Sequence, residues 1–192
     1  MIISIVGKSN SGKSSITEML CNYSDKIIKL NIDKIGHYVL TLDDVKKELI
    51  NQYGTEIINN NLVDRKKLGE LVFNNHEKMQ TLTNITWKHM EKMIDIYIND
   101  NKDKIIILDW LLLPKTKYFM MSDIKILVDA PFEIRMNRAL VRDNIIEKEF
   151  KTREKASMEF CKDDFDYIIE NLDKNKTKGK VRDIYDKSII SR

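Results

Sequence analysis

A chain of 192 residues is the size of one α/β domain with room for an insertion, and it is long enough to bury a core. Its 33 basic side chains nearly balance 30 acidic ones, so the net charge of +3 gives no electrostatic case for a nucleic-acid partner. Cys21 and Cys161 stand far apart and outside any metal-site or redox spacing, which fits a reducing, cytoplasmic setting.

The chain opens on Ile2, Ile3, Ser4, Ile5 and Val6, an apolar run too short, and too poor in flanking basic residues, for a signal peptide or a membrane span. It reads as a buried first strand. Directly after it, Gly7, Lys8, Ser9, Asn10, Ser11, Gly12, Lys13 and Ser14 match G-x-x-x-x-G-K-[ST], and Ile16, Met19 and Leu20 follow at helical spacing. Strand, tight turn and helix in that order let successive backbone N–H groups and a helix N-terminus surround a phosphate. Gly12 allows close backbone approach, Lys13 can reach the β- and γ-phosphates, and the Ser14 hydroxyl is a candidate Mg²⁺ ligand; Asn10, Ser11 and Ser15 complete the expected ATP-binding segment.

A second apolar run covers 27–30, and Asp33 just beyond it is a candidate general base for an attacking hydroxyl. From 34 to 103 the chain shows helical patterns and no convincing strand. Thr41 is the expected cap of a helix carrying Val45 and Leu49 and ending at Gly54; Asp64 caps another with Leu68, Leu71 and Val72; a third carries Met90, Met93, Ile94 and Tyr97. These residues form an expected helical substrate-binding insertion.

Further runs at 105–108, 124–128 and 167–169 complete five strands whose continuous apolar character predicts a doubly wound parallel sheet with helices on both faces. Asp109 ends the third run, where it can hold Mg²⁺ directly or through water. Pro131 opens a helix placing Arg135, Arg138 and Arg142 on one face, a row of guanidinium groups able to clamp transferring phosphates, and 131–162 reads as a lid. The expected core is then 1–33, 104–130 and 163–192. Residues 173–180 read as a charged connection before a last helix near Val181. No base-reading N-K-x-D supports a GTPase, and His37, His76 and His89 have no metal-ligand spacing.

Together these features resemble dephospho-CoA kinase. The most specific stretch is Asp64-Arg65-Lys66-Lys67-Leu68-Gly69-Glu70-Leu71-Val72-Phe73 with Ile85-Thr86, similar to that family's helical substrate domain. The run Asp33-Lys34-Ile35-Gly36-His37-Tyr38-Val39-Leu40 is similar to the family segment after the second strand, and Arg142-Asp143, with Arg138 and Arg153, to its lid. The resemblance implies an ATP- and Mg²⁺-dependent kinase acting on dephospho-CoA, with Asp33 as catalytic base, Lys13 and Arg142 on the transferring phosphate, Arg138 and Arg142 on the nucleotide, and Arg65 on a substrate phosphate. Lys8 and Asn10 replace loop glycines common in that family, Asn31 a strand-end Asp, Trp87-Lys88 a His-Pro, and Leu113-Pro114 an aromatic followed by Glu. A nucleoside or nucleoside monophosphate kinase, or a catalytically weak nucleotide-binding regulator, would share the same core.

Overall fold

The structure is a computed structural model and describes residues 1–73, 75–155 and 157–190. Along the chain come β1 (Ile2–Val6), α1 (Lys13–Cys21), β2 (Ile27–Asn31), α2 (Ile32–Val39), α3 (Asp43–Tyr53), β3 (Ile58–Asn59), β4 (Leu62–Val63), α4 (Arg65–Val72) and α5 (His76–Asp100). Then follow β5 (Ile105–Asp109), α6 (Lys117–Met120), β6 (Ile124–Asp129), α7 (Phe132–Asp143), α8 (Glu147–Lys155), β7 (Tyr167–Glu170) and α9 (Lys174–Ile184), which runs into a π-helical turn at Tyr185–Ile189.

The chain divides into two compact units. The first, residues 1–30 with 101–192, holds the sheet, whose strand order is β2-β5-β1-β6-β7. β1 lies parallel to β5 with Ile3 opposite Ile107, and parallel to β6 with Ile5 opposite Ile126; β6 is parallel to β7. The sequence expected this doubly wound sheet, and its five strands lie where the apolar runs are. One core cluster joins Ile3, Ile5, Ile107, Ile126, Val128 and Ile169 of the sheet to Ile16 and Leu20 of α1 and Val181 and Ile184 of α9. Burying an aliphatic side chain of this size is worth roughly 1.5–3 kcal/mol, so this layer fixes the strand ends on which the site is built.

The second unit, residues 31–100, is built on α5, whose Met90 and Ile94 are buried, with Val45 and Leu49 of α3 and Leu68 and Val72 of α4 also in the interior. Asp64 caps α4 as expected, its Oδ1 accepting from the N–H groups of Lys66 and Lys67 at 3.1 Å each. Thr41 caps nothing: its hydroxyl bonds the Tyr38 carbonyl at 2.7 Å, and Leu42 occupies the α3 N-cap without a side-chain bond.

Two other expectations fail for local reasons. The insertion does contain strand, the β3–β4 hairpin, because Asn60 and Asn61 both take positive φ (47° and 61°), the turn that hairpins prefer and that asparagine tolerates. The stretch 173–180 is helix, since Asp173 caps α9 through the Lys176 N–H at 2.8 Å and Thr177, Val181 and Ile184 bury one face; its lysines hid that spacing. No helix among the described residues is long and apolar enough to cross a membrane.

Candidate active site

The turn from β1 into α1 is forced by contacts that only glycine admits. A Cβ on Gly7 would stand 2.3 Å from the Val128 carbonyl oxygen, and Gly12, at φ 98°, would place one 2.0 Å from Asn171 Nδ2. Asn10 also has positive φ, 62°, in place of a glycine. Gly12 is the N-cap of α1 and supplies no side-chain bond, whereas Asn31, Asp64 and Asp173 each cover their own helix starts. The N-terminus of α1, like those of α3 and α7, has no side-chain cap; here the glycine-forced loop lies directly before it, and its aligned peptide dipoles favour an anion.

The loop is braced from outside. Arg138 of α7 donates to the carbonyls of Asn10 (3.3 Å), Ser11 (3.1 Å) and Asn171 (2.7 Å), and Asn171 Nδ2 donates to the Ser11 carbonyl at 2.8 Å. A trans peptide points its N–H opposite its C=O, so holding the Ser11 carbonyl outward turns the Gly12 N–H the other way. Lys13 Nζ spans the turn to the Gly7 carbonyl at 2.9 Å. The buried Ser11 hydroxyl has no hydrogen-bond partner among the described protein atoms.

Beside the loop opens a cleft of about 660 Å³, lined by Asn10, Gly12 and Ser15 of the loop and α1, Arg138 and Arg142 of α7, and Met19, Asn137, Val141, Leu172 and Lys174. Val141 and Leu172 are exposed in it, 88% and 51%, although both are apolar. Cavities of this size suit a nucleotide-sized ligand.

The structure thus brings together Asn10, Gly12, Ser15, Arg138 and Arg142 at one cleft, with Lys13 and Ser14 opening α1. Asp109 closes β5 opposite Ile5 of β1, on the strand that leads into the loop. Asp33 lies exposed in the first turn of α2, whose N-cap is Asn31, accepting from the Lys34 N–H at 3.0 Å, and Arg65 is the exposed first residue of α4; both belong to the second unit.

Of the three α7 arginines, Arg135 is no phosphate clamp. It is 4% exposed, donates Nε to the Ala130 carbonyl at 3.0 Å, and holds Glu154 with both terminal nitrogens at 2.7 and 2.6 Å. These bonds, first among several causes, hold the Glu154 carboxyl below the usual range. Arg142 is exposed and pairs with Asp143 at 2.7 Å, which lowers the Asp143 carboxyl and raises the guanidinium. Sequence reasoning missed Asn171 and Leu172. Nothing local marks them, since their roles arise only from the return of the chain along β7 beside the loop.

The family model described as dephospho-CoA kinase matches residues 1–176. The chain belongs to the dephospho-CoA kinase family. A member from Fusobacterium nucleatum is 34% identical over 149 residues, covering 76% of this chain and 75% of its own. One from Aquifex aeolicus is 30% identical over 190 residues, covering 96% and 95%. The fold agrees: a crystal structure from Thermus thermophilus superposes with TM-score 0.83 at 21% identity over 100% of this chain and 96% of its own. Dephospho-CoA kinase from Campylobacter jejuni gives 0.60 at 22% identity over 96% and 95%.

Proposed function

We propose that this chain transfers the γ-phosphoryl group of ATP to the ribose 3′-hydroxyl of dephospho-CoA, giving coenzyme A and ADP, the last step of coenzyme A synthesis. The observation that carries this reading is the uncapped α1 N-terminus with its glycine-forced loop and adjoining cleft, in a chain that the family matches over residues 1–176. The triphosphate would lie along the Gly7 to Ser14 turn, and the adenine would enter the cleft between the exposed faces of Val141 and Leu172. Lys13 would exchange the Gly7 carbonyl for the β- and γ-phosphates, a stronger charge-assisted partner.

Ser14 and Asp109 are both hard oxygen donors and fit Mg²⁺. No group of three or more His, Cys, Asp or Glu among the described residues could hold a metal, which suits an ion held mainly by the triphosphate and water. Bound there, Mg²⁺ would neutralise charge on the phosphate oxygens. Asp33 accepts the proton of the attacking 3′-hydroxyl as its oxygen bonds to the γ-phosphorus and the bond to ADP breaks. Arg142 and Arg138 steady the nucleotide from α7, and Arg65 meets a phosphate of the acceptor. The free thiols, and the lack among the described residues of a helix both long and apolar enough to cross a membrane, are compatible with a cytoplasmic enzyme.

ADP release would be measured with dephospho-CoA against a panel of nucleosides and nucleoside monophosphates. Turnover with dephospho-CoA alone is expected; turnover confined to the panel removes the assignment.

A further inference from the structure

The phosphate loop carries two side chains where its family commonly has glycine, and both reach the segment after β6. Lys8 Nζ donates to Glu154 Oε1 at 3.2 Å and to Glu159 Oε1. Glu154 is the residue that Arg135 grips, and the Arg135 guanidinium sits 5.9 Å over the ring of Phe150, which is 2% exposed. Asn10 Nδ2 donates to Asp143 Oδ2 at 3.3 Å, and Arg142 holds Asp143 in turn. The loop is thus tied to the end of α7 through one side chain and to the end of α8 through the other.

The charges decide what Lys8 does. Lys8 and Arg135 face Glu154 and Glu159, two cations against two carboxylates, in a cluster where Lys8 and Glu154 side chains are only 17% and 18% exposed. Burial alone would lower the Lys8 pKa, but the bonds to Glu159 and Glu154 outweigh it and leave the ammonium above its ordinary value. A cation so neutralised adds little attraction for a triphosphate. Its geometry serves attachment instead: a long side chain from the turn reaching a carboxylate that is itself anchored in the interior.

We propose that Lys8 is a positioning residue for phosphoryl transfer, fixing α8 to the phosphate loop through Glu154 and Glu159 so that the α7–α8 pair, with Arg138 and Arg142, keeps its place on the loop. This rests on the kinase reading above. The acceptor plays no part in the argument, so the test separates the two.

Full-length parent, Lys8→Gly, Lys8→Met and Lys8→Arg are compared by steady-state kinetics with ATP and dephospho-CoA and by amide hydrogen exchange of residues 147–155 without ligand. Lys8→Gly and Lys8→Met should speed exchange of that segment roughly tenfold. They should also lower kcat roughly tenfold, because misplaced groups act on the transfer step, and raise KM for ATP severalfold, because Arg138 and Arg142 shift with the pair. Lys8→Arg should restore both. Unchanged exchange in Lys8→Gly and Lys8→Met overturns the proposal, whatever the kinetics do. A rise in KM for ATP at constant exchange likewise overturns it and makes Lys8 a nucleotide contact. If the parent transfers no phosphate to dephospho-CoA, the kinase reading fails, and the exchange result still decides whether Lys8 holds α8.

Discussion

Asn10 holds φ 62° at a loop position that glycine would occupy without strain, and asparagine is among the few other residues that visit this conformation readily. Asn10→Ala should therefore destabilise the protein by about 1–2 kcal/mol in urea unfolding, while Asn10→Gly should stay closer to the parent. Equal losses for glycine and alanine would show that the Asp143 bond, which both variants remove, and not the backbone governs this position. Lys13→Met should lower kcat roughly a hundredfold or more with unchanged far-ultraviolet circular dichroism, since it removes a preorganised charge and no packing. Gly7, Gly12 and Lys13 were legible from sequence because phosphate chemistry dictates their spacing. Arg135 was not: it shares helical spacing with Arg138 and Arg142, and only its partner Glu154, 19 positions on, diverts it inward. Asn171 was equally hidden, because bracing the Ser11 carbonyl is a contact across 160 positions.

Among the elements, strands were legible because both faces of the sheet are covered and the runs are unbroken, as in the consecutive buried residues Ile106, Ile107 and Leu108. Helix starts were legible at Asp64, at Pro131 before α7 and behind the phosphate loop, but not at Thr41 or Asp173. Asp64→Ala should cost about 1 kcal/mol by thermal unfolding, through the loss of its bonds to the Lys66 and Lys67 N–H groups. Thr41 had the right residue type but bonded backwards to Tyr38, a local competition that sequence does not decide. The α7–α8 pair should respond to acid. Glu154 has a lowered carboxyl pKa, so its stabilisation is complete above the ordinary glutamate value of about 4.3 and is lost as the pH falls below that through the folded value. Glu154→Gln should be less stable than the parent at pH 7 by about 3 kcal/mol, because Arg135 stays buried without its charge partner, and the gap should narrow towards pH 3. Chemical unfolding across that range reads both; a gap independent of pH would place the acid sensitivity elsewhere.

At the scale of the whole chain, the two units divide the legible from the hidden. The sheet unit follows from composition and one motif, whereas the helical unit, residues 31–100, takes its meaning from family likeness along stretches such as Asp64 to Phe73. The family match over residues 1–176 spans both. Asp33, in the second unit, is the residue on which the proposed chemistry turns, and Asp33→Asn should retain ATP binding while losing transfer. The most direct measurement is the fate of γ-labelled phosphate from ATP incubated with the protein, Mg²⁺ and dephospho-CoA, followed by location of the label on the product. The expected result is label on the ribose 3′-hydroxyl in stoichiometry with ADP. Label on inorganic phosphate alone, or on the acceptor at any other position, would contradict the assignment.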